Sequence, residues 1–155
     1  MSGEVEARLR AANIELPPAP APAANYVPFV VSGHLAYIAG QVPFVGSERH
    51  FIGKVGDVYD LAQAQDAARI VGLNIIAQVR AACDGDLDRV RRCVKLGGFV
   101  NCTPDFVQHP QVINAASDLM VDVFGEAGRH ARFAVGAPAL PFDVAVEIDA
   151  IFELA

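Results

Sequence analysis

Arg132 and Glu147 are the two residues of this 155-residue chain whose types and spacing best suit chemistry on a small molecule. They lie in two β-type runs, one around Phe133 and Val135, the other around Val146 and Ile148. The connection between the runs holds Pro138 and Pro141. In the second run Val144, Val146, Ile148, Ala150 and Phe152 share one parity, and Glu147, Asp149 and Glu153 share the other. Period two denotes a strand with one apolar and one polar face. The prolines cannot donate to a ladder, so they belong in the connection. A hairpin centred between Ala139 and Leu140 sets Arg132 directly opposite Glu147 on the non-apolar face. A solvated pair of that kind contributes about 0–1 kcal/mol to stability. The chemical reading is an arginine fork that grips a ligand carboxylate at two points, with Glu147 free to polarise a water.

The rival chemistries lack their signatures. His34, His50, His109 and His130 are scattered, without the spacing of a metal site, and each reads as a surface or loop histidine. No glycine-rich phosphate loop follows a strand, and no G-x-S-x-G elbow occurs. Ser32, Ser47 and Ser117 have no nucleophile context. Cys83, Cys93 and Cys102 are odd in number and match no zinc or C-x-x-C pattern, so they read as reduced thiols.

The elements that must position Arg132 and Glu147 follow from periodicity. Residues 4–12 form a short helix with Val5 and Leu9 one turn apart. Residues 16–24, LPPAPAPAA, form an extended polyproline-like arm on the surface. Residues 26–31 and 35–39 are strands joined at Ser32-Gly33-His34. Gly40, at the end of the second, suits a turn or bulge, or the close approach of a ligand or neighbouring chain. Residues 44–56 are loop-like, with room for an edge strand near 50–52. Residues 60–82 form the longest helix, capped by Asp57 or Asp60, its stripe running through Leu61, Ala64, Ala68, Val71, Ile75 and Val79. Val90–Asn101 is a strand with an expected bulge at Gly97-Gly98. Residues 110–124 form a helix that buries Val112, Ala116, Leu119 and Val123 and stops at Gly125. The two long helices return the chain to one sheet and cover one of its faces. The other face would carry Arg132, Ala134, Gly136 and Glu147, and would close against another subunit.

Composition bounds the function. One domain of this size can bury a substantial core. Hydrophobic residues make up 53% of the chain and charged residues 19%, a surplus of apolar surface suited to subunit contacts. No apolar run approaches the roughly 18–20 residues that span a bilayer, so no membrane partner is expected. The net charge of −6 and the lack of a basic block disfavour nucleic acid. With no secretory signal at the N-terminus, the expected location is the cytoplasm.

The series Tyr26 … Leu35-Ala36-Tyr37-Ile38-Ala39-Gly40-Gln41-Val42-Pro43 … Asn114 … Arg132-Phe133-Ala134-Val135 … Leu140-Pro141 … Val146-Glu147-Ile148 resembles the RidA (YjgF) family of enamine/imine deaminases. The resemblance covers residues 26–155 and leaves 1–25 as an N-terminal extension. It implies an α+β, chorismate-mutase-like single domain: a mixed sheet with two helices on one face. It also implies a homotrimer with clefts between subunits. The implied activity is cofactor-free hydrolysis of reactive 2-imino acids to 2-keto acids and ammonia. By resemblance, Arg132 grips the substrate carboxylate and Glu147 orients the attacking water. Tyr26 and Asn114 line the cleft, and the backbone amide of Gly40 approaches the ligand. Two departures stand out: Ala39 replaces a serine before Gly-Gln, and Ala134 replaces a cysteine found in many members. They leave room for a trimeric module that binds small carboxylate metabolites without turning them over.

Overall fold

A computed structural model describes residues 3–22 and 24–155; Met1, Ser2 and Ala23, the last of these in the proline-rich arm, lie outside the described residues. The helices form where periodicity places them. Helix α1 is Glu4–Ala11, α2 is Leu61–Ala82 and α3 is His109–Phe124. Asp60 caps α2 through a reciprocal box: its carboxylate accepts from Gln63 N at 2.9 Å, and the Gln63 side chain accepts from Asp60 N at 3.0 Å. Replacing this cap, Asp60→Ala, is expected to cost about 1 kcal/mol. Calorimetry should then find Tm lowered by about 2–4 °C for a domain of this length. Gly125 ends α3 at φ 63°, a left-handed conformation that glycine adopts without cost.

The strands are β1 (Phe29–Ser32), β2 (Leu35–Gln41), β5 (Val90–Asn101), β6 (Ala131–Ala137) and β7 (Val146–Leu154), in the order β1-β2-β7-β5-β6. Two two-residue strands, β3 (Phe44–Val45) and β4 (Glu48–Arg49), make a separate hairpin inside the segment read as loop-like, where an edge strand was expected a little later, near 50–52. Ile52 contributes only an isolated bridge to Val144. The fold is α+β, with α2 and α3 on one face of a mixed sheet. Their buried stripes meet Ala36 and Ile38 of β2, Leu96 and Val100 of β5, and Val146, Ile148 and Phe152 of β7, nearly all fully buried.

The expected hairpin does not form. β6 and β7 are not neighbours: β5 lies between them, antiparallel to β7 and parallel to β6. A parallel neighbour needs a crossover, and α3 supplies it. Arg132 pairs with Leu96, which faces the helices, and Glu147 pairs with Phe99, which faces away from them. Directly opposed residues share a face. Arg132 and Glu147 therefore lie on opposite faces of the sheet and not across a ladder. Ala134 and Gly136 follow Arg132 to the helix side.

The expected bulge at Gly97-Gly98 is also absent. Those residues pair regularly with Asp149 and Ile148, and the register shifts lie earlier, between Val90 and Arg92 and between Cys93 and Lys95. The glycines serve close packing instead. A Cβ on Gly98 would stand 2.7 Å from Ile113 Cγ1 of α3. The open face is apolar and aromatic at its centre: Phe99 and Phe133 meet edge to face at 5.3 Å, with Val30, Tyr37 and Val135 exposed beside them.

The N-terminal segment is tied to this body. Val5 and Leu9 of α1 are buried against α3. The helix has no cap of its own at Gly3; the Asp88 carboxylate accepts from Glu4 N at 3.1 Å and Val5 N at 3.0 Å. Farther on, Gln78 Nε2 of α2 donates to the Pro20 carbonyl at 2.6 Å.

Candidate functional site

β2 breaks register with β7 between Ile38 and Gln41, and Gly40 lies in that irregularity. Glu147, on β7, sets its carboxylate against Gly40, where any Cβ would collide with Oε1. The bulge reading of Gly40 holds, and the group that approaches it closely is the Glu147 side chain of the same chain. Gly40, Phe99, Leu140, Glu147 and Asp149 line a cavity of about 440 Å³ on the open face. Among the described residues no cation lies within ion-pairing distance of Glu147. Burial pushes its carboxyl above the ordinary carboxylate range, and the Asp149 charge pushes the same way. A carboxylate so placed suits proton transfer nearer neutral pH. Asp149→Asn removes one upward push, so the Glu147 carboxyl should titrate lower. The acid limb of a pH–activity profile that depends on ionised Glu147 should then move to lower pH, as kcat/KM measured against pH would show.

The loop that closes this cavity is fixed from below. Lys54 Nζ donates to the Pro138 carbonyl and, at 2.8 Å, to Asn101 Oδ1. The fully buried Asn101 amide in turn donates to Asp143 Oδ1 at 2.9 Å and to the Val144 carbonyl at 3.1 Å. Phe142 and Asp143 both take positive φ, 58° each. Consecutive left-handed residues of this kind persist only where surroundings hold them. Here the Asn101 bonds hold Asp143, and Arg49, 3.9 Å above the Phe142 ring, holds Phe142.

Arg132 stands at the other side, at the α3 edge of the sheet. NH1 donates to Ser117 Oγ at 3.0 Å and NH2 to the Pro110 carbonyl at 3.2 Å. Asn114 is exposed on the same stripe of α3, between Pro110 and Ser117. Ser117 Oγ is also 2.8 Å from His130 Nε2, and His130 Nδ1 is 2.7 Å from the Gly128 carbonyl. Ser117, His130 and Arg132 border a cavity of about 260 Å³. No carboxylate pairs with Arg132 among the described residues.

The five candidates thus divide. Gly40 and Glu147 share the open-face cavity. Tyr26, 48% exposed, lines a small adjoining recess with Gly40 and Gln41. Arg132 and Asn114 lie together on the helix side. Ser117 and His130 were not anticipated, although the signals exist. Ser117 is three residues after Asn114 on a helix, and His130 is two before Arg132 at a strand's start. His109 likewise is not a plain loop residue, since its Nε2 is 3.3 Å from Cys102 Sγ. Burial raises the thiol of Cys102, and it pushes those of Cys83 and Cys93 up to about 11 and about 12. All three are free, buried thiols with little thiolate character. Among the described residues no group of His, Cys, Asp and Glu is placed to hold a metal ion, and no helix is long and apolar enough to cross a membrane.

The mixed sheet backed by helices on one face, together with the family match over residues 6–154, defines a chorismate-mutase-like fold. The chain belongs to the YjgF family. The family described as "YjgF/chorismate_mutase-like, putative endoribonuclease" matches residues 6–154. Protein TCP17 of Trypanosoma cruzi is 48% identical over 99% of this chain and 96% of its own length. The solved structure of Atu1372 from Agrobacterium tumefaciens, a protein of unknown function, is 50% identical with a TM-score of 0.90, covering 97% of this chain and 92% of that one. A Shewanella oneidensis structure named as a putative endoribonuclease is 34% identical with a TM-score of 0.93, covering 98% of this chain and all of the other.

Proposed function

We propose that the protein is an enamine/imine deaminase that hydrolyses small 2-imino acids to 2-keto acids and ammonia in clefts between subunits. One observation carries the reading. Among the described residues a guanidinium without a carboxylate and a half-buried carboxylate without a cation stand on opposite faces of one sheet, which supports reading each as half of a site. The reading requires that the homotrimer implied by the family resemblance bring the β6 edge of a second copy, with its Arg132, up to the Glu147 cavity. The open face supplies the apolar area that such a contact needs.

The chemistry requires little beyond placement. The planar guanidinium holds the substrate carboxylate at two points. The C2=N bond supplies its own electrophilic carbon. Glu147 takes a proton from water as the oxygen attacks C2, and returns it to the nitrogen. The carbinolamine so formed gives its hydroxyl proton to Glu147, which passes it to the amine; C2=O then forms as the C–N bond breaks, and ammonia leaves. Positioning and two proton transfers through one carboxylate suffice, and no cofactor is called on. Buried, free thiols fit the reducing cytoplasm as the working compartment.

Ala39 favours a second reading, a trimer that binds small carboxylates without turnover, because the hydroxyl expected before Gly-Gln is missing. RNA cleavage is the weakest reading: the net charge is −6, and Glu147, Asp149 and Glu153 share the open face, where phosphates would be repelled.

The test generates 2-imino acids with an amino-acid oxidase in the presence of semicarbazide. Suppression of semicarbazone formation by catalytic amounts of this protein is the expected result. Absence of suppression across several side chains, together with a Tm raised by 2-oxobutanoate, would replace the deaminase by the binding module.

A further inference from the structure

Arg132 can serve as a carboxylate fork only if its plane is fixed, and the three groups that fix it form one directed chain. The Gly128 carbonyl can only accept, so His130 Nδ1 carries the hydrogen of that 2.7 Å contact. In the neutral ring Nε2 is then an acceptor, and the Ser117 hydroxyl, 2.8 Å away, donates to it. With its proton committed, Ser117 Oγ presents lone pairs to Arg132 NH1 at 3.0 Å. The Pro110 carbonyl takes one N–H of NH2 at 3.2 Å. An arginine has five N–H donors. Two are spent on α3, and three remain for a ligand.

We propose that Ser117 and His130 are positioning residues for substrate binding by this protein: they orient the guanidinium of Arg132 so that its unspent N–H groups face the carboxylate. The inference rests on the deaminase reading for what Arg132 binds, but not for the orientation itself. His130 sets the direction of the Ser117 hydroxyl. Without it, a helical serine turns its proton to the carbonyl one turn back, at Ile113, and its lone pairs leave the arginine. Ser117 supplies the second anchor. Without it, the guanidinium hangs from Pro110 alone and can rotate. Both residues are partly accessible and line the Arg132 cavity, so neither is a buried core group.

The experiment uses the full chain in its native oligomer with Ser117→Ala, Ser117→Thr and His130→Phe. Two readouts are taken. The first is independent of turnover: nitrogen-15 NMR of the Arg132 guanidinium and the His130 ring. The wild-type protein should show a non-protonated Nε2 and slow rotation about the Arg132 Cζ–N bonds. Ser117→Ala should average the guanidinium signals, and Ser117→Thr should restore them. The second is the KM-against-kcat split for a 2-imino acid, with calorimetric binding of 2-oxobutanoate beside it. Loss of one hydrogen bond to a charged group corresponds to about tenfold in KM and Kd, with kcat within about twofold. His130→Phe should fall between wild type and Ser117→Ala.

An Arg132 signal equally restrained in wild type and Ser117→Ala would overturn the proposal. So would a drop in kcat and Tm together with unchanged KM, which marks a structural role. If Ser117→Ala does not fold, the threonine and phenylalanine variants carry the same comparison. If no imine is hydrolysed while the guanidinium is ordered in wild type and freed in Ser117→Ala, the deaminase reading fails and the positioning role stands.

Discussion

Arg132→Ala is expected to lower kcat/KM for a 2-imino acid by about 10³-fold while leaving thermal melting and oligomer size at wild-type values. Each charge-assisted hydrogen bond to a carboxylate is worth about 1.5–3 kcal/mol, and the fork makes two. About 4 kcal/mol lost corresponds to roughly 10³. Most of the loss should enter KM, and the remainder kcat, because a substrate gripped at one end is also aimed. Arg132→Lys should recover little, since an ammonium is a point charge and not a planar fork. The fold should tolerate either change. Arg132 lies on edge strand β6, and its anchors Ser117 and Pro110 are on the exposed side of α3. Steady-state kinetics and circular-dichroism melting check both halves. Near-normal turnover by a folded Arg132→Ala oligomer would remove this residue from the site.

Glu147→Gln should reduce kcat by 10²- to 10⁴-fold with KM little changed, the signature of a lost proton-transfer group. Glutamine keeps the shape against Gly40, so the cavity should survive. The same substitution should raise stability at neutral pH. Burial raises the folded-state titration of Glu147, so the native protein holds this proton more tightly than the unfolded chain. That contribution is complete below the ordinary carboxylate range and is lost as pH rises through the raised value. Glutamine has no proton to lose. The variant should therefore melt above wild type at pH 7 and converge with it as the pH falls below the carboxylate range. Melting curves across pH settle the sign, and an equal Tm at all pH values would contradict the uncompensated burial of Glu147. Activity and stability here pull on one atom pair in opposite directions.

The helices were legible because their signals are local. Asp60 with Gln63, the 3.6-residue stripe through Val71 and Ile75, and Gly125 at a positive φ each act within a few residues. The alternation in β7 was equally plain. What it could not carry was which strand lies beside it. Two consecutive strands joined by a short proline loop pair as a hairpin by default. Here β5 occupies the place between them, and only the crossover through α3 reveals this. The consequence for the site was large, because pairing decides faces: Arg132 took the face of Leu96 and Glu147 the face of Phe99. Gly97 and Gly98 read as a bulge, and the structure overturns that: both pair regularly, and Ile113 of a distant helix packs where a side chain on Gly98 would stand. Ser117 and His130 were invisible singly. They gain meaning as a pair, once α3 and β6 stand side by side.

The strand order has a consequence for how the chain is made. β7 is the middle strand of five, yet every strand it joins leaves the ribosome before it. Until residues 146–154 emerge, β1-β2 and β5-α3-β6 are two fragments with no ladder between them, each presenting an unpaired edge to the surrounding medium. Sheet closure is therefore a late, long-range event that waits for the strand carrying Glu147. A chain ending at residue 145 and freed from the ribosome would hold every helix segment of the domain and no continuous sheet.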